Sequence, residues 1–188
     1  MKSFQLSDVR AVDDVNLASG VFLLIYQPLR LPPHILLSID GKLFSISVAG
    51  VHEAQDAAKF ITFIHRKKAP VLFLELLLNP KEVDALKKVT VKMLRQYGKV
   101  TEGKVSCLYP VRDALAHTLD KEFLQAGFVF ELTQLLKEKG RIKNSCALYM
   151  KEELRKGSFE FLLYSNDQLF EATKAARLKY EKTVHSAM

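Results

Sequence analysis

The sequence predicts an α+β protein, and two observations predict this class. Strand patterns concentrate in the N-terminal half of the chain, whereas helical periodicity dominates the C-terminal half. Such segregation is typical of α+β folds. The length of 188 residues fits a single domain over 1–188 and is long enough to bury a sizeable core.

The first strand is predicted over Val21–Tyr26, after a leader of residues 1–18. This apolar run is rich in strand formers and lies between a glycine and a proline, which is typical of a buried strand. Pro32-Pro33 then predicts a stiff connection, because proline fixes φ and restricts the residue before it.

A β-hairpin is predicted next. Its first strand is His34–Ile39, and Asp40-Gly41 is a strong two-residue turn signal. Its second strand, Lys42–Ala49, alternates apolar residues with small polar ones, so one face should be buried. Gly50 is expected to end it.

The middle of the chain predicts helix, strand and helix. Apolar residues recur at helical spacing over Glu53–His65, and the apolar stretch 70–78 has flanking prolines that favour a strand. Asn79 begins the next helix as N-cap, with Pro80 in the first turn and Glu82 at the capping-box position. This helix should end at Tyr97-Gly98.

The C-terminal half predicts mainly helices. Ser106 is a good N-cap for a helix reaching about Leu119. The other predicted elements are a helix over Phe128–Lys139 stopped by Gly140, a helix over Ser145–Arg155, a strand over Phe159–Tyr164, and a last helix capped by Asn166 and reaching about Lys182.

Composition excludes several classes of protein. Hydrophobic residues make up 48% and charged residues 26%, and no apolar run is long enough for a membrane span. The N-terminus lacks the pattern of a signal peptide. The two cysteines form no Cys-x-x-Cys pair, so we expect free thiols in a reducing, cytoplasmic compartment. No cofactor or metal site is expected, since no Cys/His cluster has ligand spacing.

The net charge of +7 allows two interpretations. The basic runs Arg66-Lys67-Lys68, Lys87-Lys88 and 137–143 could attract an anionic partner such as nucleic acid or a membrane surface. Solvated helix faces are the simpler interpretation. No aromatic residue is interleaved with these runs as a base-stacking platform would require.

Cys107 is the first candidate for chemistry. A thiol in the first turn of a helix lies near unpaired backbone N–H groups and the positive end of the helix dipole, and both favour the reactive thiolate. However, a lone cysteine is more often an inert buried residue. Cys146, in Asn144-Ser145-Cys146, also lies at a possible helix start and is the rival nucleophile.

A thiol nucleophile needs a base, and His34 at the start of a strand is the candidate. A third polar group would orient the imidazole. Ser47 is the preferred choice, with Ser45 and His52 as alternatives. A histidine at a strand end is more often a structural residue.

The order of these motifs resembles the circularly permuted branch of the NlpC/P60 papain-like superfamily, in which the histidine precedes the cysteine. The resemblance covers about half of the chain, from Ser19 to about Leu119. A late stretch, 153–159, is also similar to the closing segment of some members. The matching segments are Gly20-Val21-Phe22-Leu23-Leu24, His34-Ile35-Leu36-Leu37, 42–48, Gly50-Val51, 60–66, 71–74 and 106–115.

The resemblance implies a permuted papain-like fold, with a small antiparallel sheet packed against helices and extra C-terminal helices. It implies hydrolysis or acyl transfer through a Cys107 thioester, with His34 as base, on peptide, amide or lipid acyl substrates. Two positions depart from the family pattern. Val21 stands where an acidic residue is common, and Ser47 stands where Glu, His or Gln is typical. A weakened or inactive domain that acts as a binding or scaffold module is therefore the alternative.

Overall fold

The structure is a computed structural model that describes residues 4–185, and side chains over 4–183. A seven-stranded mixed sheet lies at its centre, in the order β2-β8-β7-β3-β4-β5-β6. All pairings in it are antiparallel except that of β2 with β8, and β1 pairs with β9 separately. The strands are β1 Gln5–Leu6, β2 Val9–Ala11, β3 Val21–Tyr26, β4 His34–Ile39, β5 Lys42–Ser47, β6 Gly50–Asp56, β7 Val71–Leu76, β8 Ile142–Leu148 and β9 Phe159–Glu160.

Helices cover both faces of the sheet. They are α1 Ala57–Lys67, α2 Pro80–Tyr97, α3 Leu108–Thr118, α4 Val129–Glu138 and α5 Asn166–His185, with a short 3₁₀ helix at Lys121–Gln125. Side chains of α2, α3 and α4 share a core with Leu23, Ile25 and the other sheet residues of that face, here called the α3 face. On the opposite α1 face, Phe22 and Leu24 pack with α1.

Burial on both faces explains why the central strands are continuously apolar rather than alternating. In β3, every residue from Val21 to Ile25 is buried. Successive side chains enter opposite cores, so both faces of the strand stabilise the fold.

The structure confirms the α+β class and most of the N-terminal elements. Strands β3, β4 and β7 have the predicted positions. Asp40 and Gly41 both have positive φ, as a two-residue hairpin turn requires. Asn79 forms the predicted capping box with Glu82 at the start of α2.

The helix predicted over Ser145–Arg155 is wrong, because this stretch begins in strand β8. The segment has little intrinsic strand preference, but it fills the space between β7 and β2 and hydrogen-bonds to both. Tertiary pairing therefore overrides local propensity. Tyr149, with φ of 55°, then ends the strand.

The predicted boundaries around Gly50 are also wrong. Gly50 does not end the sheet; it follows a tight turn and pairs with Ser47, so that β6 continues to Asp56 and α1 begins at Ala57. Strand β6 lies at the sheet edge and is largely exposed, so it lacks the apolar pattern that would distinguish it from a helix.

The remaining differences concern the termini and the size of the sheet. The leader contains β1 and β2, and the strand predicted over Phe159–Tyr164 is limited to Phe159–Glu160. Ser165, rather than Asn166, caps α5 by exchanging hydrogen bonds with Gln168. The sheet is larger than the expected small antiparallel one, because β8 from the C-terminal half and β2 from the leader extend it beside β7. None of the helices in the described part of the chain has both the length and the apolar character that crossing a bilayer requires.

Candidate functional site

A cleft of about 280 Å³ opens at one end of the sheet, where β3 and β5 end and β4 begins. Cys107, His34 and Ser47, the three residues selected from the sequence, all line it. Its other walls come from β3 and the loop after it, the turn after β5, the loop before α3, and α5. These contribute Tyr26, Gln27, Arg30, Pro32, Pro33, Val48, Val100, Thr173 and Ala176.

Cys107 lies immediately before the first residue of α3 and occupies its N-cap position, so the helix begins one residue later than the prediction with Ser106 as N-cap. The Ser106 hydroxyl oxygen accepts a hydrogen bond from the Leu108 N–H at 3.2 Å and holds this helix start. The Cys107 side chain is 8% exposed. Its thiol donates a long hydrogen bond to the carbonyl oxygen of Pro33, with 3.9 Å between sulfur and oxygen.

Strands β4 and β5 separate near Cys107, and this separation makes room for its sulfur. Only the residues next to the hairpin turn pair between β4 and β5, up to Leu37 and Phe44. The other ends of the two strands, residues 34–36 and 45–47, are not paired with each other. The loop before α3 enters beside β5, where the Val100 N–H donates to the Ser47 carbonyl oxygen at 3.0 Å. The sulfur of Cys107 thus lies beside backbone groups of β4 that β5 does not reach.

The Cys107 thiol is protonated in this environment. Burial is the main cause and raises its pKa, since a thiolate loses its hydration there. Opposing this, the backbone N–H groups of Ile35, Cys107 and Leu108 and the Ser106 side chain lie beside the sulfur and lower its pKa. The site therefore provides donors for a thiolate while its burial keeps the resting thiol neutral.

His34 is opposite Tyr26 in the β3–β4 register. Directly opposite residues of antiparallel strands point to the same face, and the Tyr26 ring packs on Phe60 and Phe63 of α1. The His34 side chain therefore leaves the strand on the α1 face, whereas α3 packs on the other face. The cleft lies at the end of the sheet, so residues from both faces can line it. No hydrogen bond joins His34 to Cys107 within residues 4–185.

The imidazole of His34 is neutral at pH 7. Burial is the largest cause and lowers its pKa to about 4, with smaller contributions from the charges of His52 and Arg30. A neutral imidazole can accept a proton, but a pKa this low makes it a weak base. The resting cleft therefore holds a neutral thiol and a neutral imidazole, not an ion pair.

Ser47 lines the cleft but does not orient His34. Its hydroxyl is hydrogen-bonded to Nε2 of His52 at 2.8 Å and accepts from the Ala49 N–H at 3.1 Å. His52 is held from its other side by Gln55, with 3.1 Å to Nδ1. Ser45 is buried opposite His52 and does not line the cleft. Ser47 is therefore not the third polar residue that orients His34; it forms a hydrogen-bonded pair with His52 instead.

Cys146 lies elsewhere. It is in the middle of β8, opposite Phe73 of β7, and not at a helix start. Burial raises the pKa of its thiol. Neither a helix N-terminus nor the cleft is next to it, so the structure removes the reason for which the sequence suggested it as a nucleophile.

Sequence reasoning missed two parts of the cleft. Arg30 lies in the loop between the first two predicted strands, and its position just before Pro32-Pro33 and His34 was the available signal. Thr173 and Ala176 come from α5. No motif marks them, because only the packing of α5 brings them to the cleft.

The basic runs do not form one surface. Arg66-Lys67-Lys68 precedes β7 on the α1 side, whereas 137–143 leads from α4 into β8, which begins opposite the far end of β7. Within the second run, three of the four cations, Lys139, Arg141 and Lys143, are paired with carboxylates. The clustering on one face that an anionic-surface partner requires is therefore missing between these runs.

The chain matches no protein-family model, no curated protein sequence and no solved structure. Among the described residues, no group of three or more His, Cys, Asp or Glu side chains is arranged to hold a metal ion. The functional conclusion therefore depends on the cleft itself.

Proposed function

We propose that the protein is a thiol-dependent acyl hydrolase or acyltransferase of the permuted NlpC/P60 papain-like type, with Cys107 as nucleophile. One observation carries this proposal. Cys107, which is distant in the chain from His34 and Ser47, lines the same small cleft as these two residues, and its thiol lies at the start of a helix. Clefts with a few convergent polar groups and perturbed pKa values are the usual locations of active sites.

In the proposed reaction, an acyl carbonyl enters the cleft and displaces the Pro33 carbonyl oxygen as partner of the thiol. As the sulfur forms its bond to the carbonyl carbon, the thiol proton passes to the neutral imidazole of His34, which must first approach the sulfur because the thiol is hydrogen-bonded to Pro33 in the structure. The Cys107 N–H is the candidate donor to the developing oxyanion. Collapse breaks the bond to the leaving group, which takes the proton from His34. Water or another acceptor then cleaves the thioester and restores the thiol.

The low basicity of His34 makes this a slow catalyst unless substrate binding changes the site. A group with a pKa of about 4 is far from the value near 7 that suits a general base at neutral pH. Substrate that excludes water and brings its leaving group to His34 would have to supply the missing driving force. We therefore expect slow turnover, with accumulation of the acyl-enzyme only from an activated ester, whose leaving group departs without a proton from His34 and so makes acylation faster than deacylation.

A second candidate function is a binding module on the same fold without catalysis. The arrangement of Ser47 favours it, because its hydroxyl is engaged by His52 rather than by His34. In this second function, burial of the thiol against the Pro33 carbonyl would give Cys107 a purely structural role beside the start of β4.

Acylation by an activated ester distinguishes the thiol hydrolase from the binding module. We expect wild-type protein mixed with p-nitrophenyl octanoate to release p-nitrophenol in a burst of about one equivalent. Cys107→Ser should abolish the burst, and Cys146→Ser, the matched control with the other thiol removed, should retain it. Equal release by wild type and Cys107→Ser would leave only the binding module.

A further inference from the structure

Arg30 differs from every other residue that lines the cleft, because it alone carries a charge at neutral pH. His34 is neutral there, and the remaining side chains of the lining are apolar or uncharged. Among the described residues, no Asp or Glu belongs to the lining, so a bound ligand would meet the positive charge of Arg30 and no negative charge from them.

Arg30 is also without an acidic partner. Its guanidinium donates one hydrogen bond, to the side-chain oxygen of Gln27 at 3.3 Å, and no carboxylate in the described part of the chain lies within ion-pair distance of it. Four of the other arginines, Arg95, Arg112, Arg141 and Arg177, each contact a carboxylate, whereas Arg10, Arg66 and Arg155 form no ion pair within the described residues and lie outside the cleft lining. A planar guanidinium with free donors binds carboxylate or phosphate oxygens, in many cases through two parallel hydrogen bonds.

The rest of the lining is suited to an apolar chain. Pro32, Pro33, Val48, Val100 and Ala176 are the aliphatic residues of the wall. With about 30 Å³ for each water-sized group, a volume of about 280 Å³ holds on the order of ten non-hydrogen atoms. This is the size of a medium-chain acyl group, not of a long polymer segment.

We propose that Arg30 is the specificity-determining residue of the cleft and selects amphiphiles that carry an anionic group, a carboxylate or a phosphate, next to a short apolar chain. Arg30 binds the anion at the mouth while the apolar chain occupies the interior. This inference concerns the same site as the proposed function and names its substrate class, but it requires only binding, not catalysis.

The positive N-terminal end of α3 also favours an anionic group in the cleft. Cys107 immediately precedes α3, so the positive end of that helix dipole faces the cleft. Arg30 lies close enough to His34 for its charge to lower the pKa of that imidazole. An anionic group in the cleft would thus be attracted from two sides.

Binding of three matched ligands tests the inference without any chemical step. Octanoate, octanamide and octylammonium have the same chain length and nearly the same size but carry negative, no and positive charge. Titration by NMR or calorimetry should give octanoate the lowest Kd, with octanamide weaker by about tenfold, the value of one good charge-assisted hydrogen bond. Octyl phosphate in a parallel titration shows which of the two anions is preferred.

Variants then assign the preference to Arg30. Arg30→Gln should remove the tenfold advantage of octanoate and leave octanamide binding unchanged, and Arg30→Lys should retain part of it. Lys88→Gln is the matched control, because it removes one exposed positive charge from α2, outside the cleft lining. Equal affinity for octanoate and octanamide in the wild type, or an advantage that persists in Arg30→Gln, would overturn the inference.

The two proposals can fail separately. Octanoate selectivity that depends on Arg30, with no acylation of Cys107, would leave the inference standing and exclude the thiol hydrolase. Acylation of Cys107 with no preference for anionic ligands would exclude the inference about Arg30 and leave the thiol hydrolase standing.

Discussion

Acidification should destabilise the protein through His34 in a way that a single substitution can isolate. The folded state lowers the pKa of this imidazole from 6.5 to about 4, mainly because the partly buried ring loses hydration at the cleft wall. Folding therefore favours the neutral form, and the unfolded chain binds the extra proton first as the pH falls. Stability is fully retained above about pH 6.5 and is lost progressively as the pH falls toward 4.

The magnitude follows from the shift of the pKa. At about 1.36 kcal/mol per unit, the change from 6.5 to about 4 corresponds to about 3 kcal/mol once the pH is below 4. About 2 kcal/mol of this should be lost between pH 7.5 and pH 5. That loss is a large fraction of the ~5–15 kcal/mol by which domains are normally stable.

The assay is urea unfolding of wild type and His34→Gln at pH 7.5 and pH 5. We expect the free energy of unfolding of the wild type to fall by about 2 kcal/mol more than that of His34→Gln over this interval. His117→Gln, at an exposed position of α3, controls for the loss of a histidine as such. Parallel pH profiles for wild type and His34→Gln would refute a buried neutral imidazole at this position.

Two further predictions test the helices around the site. Asn79→Ala should lower the free energy of unfolding by about 1 kcal/mol in urea titration, because it removes the side chain that caps α2, and an unchanged midpoint would contradict that role. Ala176→Phe should slow the labelling of Cys107 by a small maleimide, because the larger ring enters the cleft from α5. Ala175→Phe, at the neighbouring exposed position, should leave the labelling rate unchanged, and equal rates in both variants would contradict the assignment of α5 to the cleft wall.

Local signals made part of the fold predictable. The Asp40-Gly41 turn and the Asn79 cap each depend on the chemistry of a few adjacent residues, and both are present as expected. Strand β8 was not predictable in this way, because its residues are strands only through their pairing with β7 and β2. Strand β6 failed for a related reason, since an exposed edge strand has no buried face to impose a pattern.

The candidate site was predictable to a similar extent. The positions of Cys107 at a helix start and His34 at a strand start were local inferences, and both residues line the cleft. The hydrogen bond between Ser47 and His52 depends on the turn that brings β6 back beside β5. The sequence pattern predicted that the strand ends at Gly50, so this contact was not expected. Arg30 precedes Pro32-Pro33 and His34 in the sequence, but its importance follows from the fold, in which it is the charged residue among the described residues of the cleft lining.

The reactivity of the Cys107 thiol is the central claim, and the direct test is to map the acylated residue. Wild-type protein would be quenched in acid during the burst with p-nitrophenyl octanoate and digested, and its peptides analysed by mass spectrometry. The account predicts an octanoyl group on Cys107, little on Cys146, and strongly reduced acylation in His34→Gln. Octanoylation of Cys146 or of surface lysines with Cys107 unmodified would contradict it.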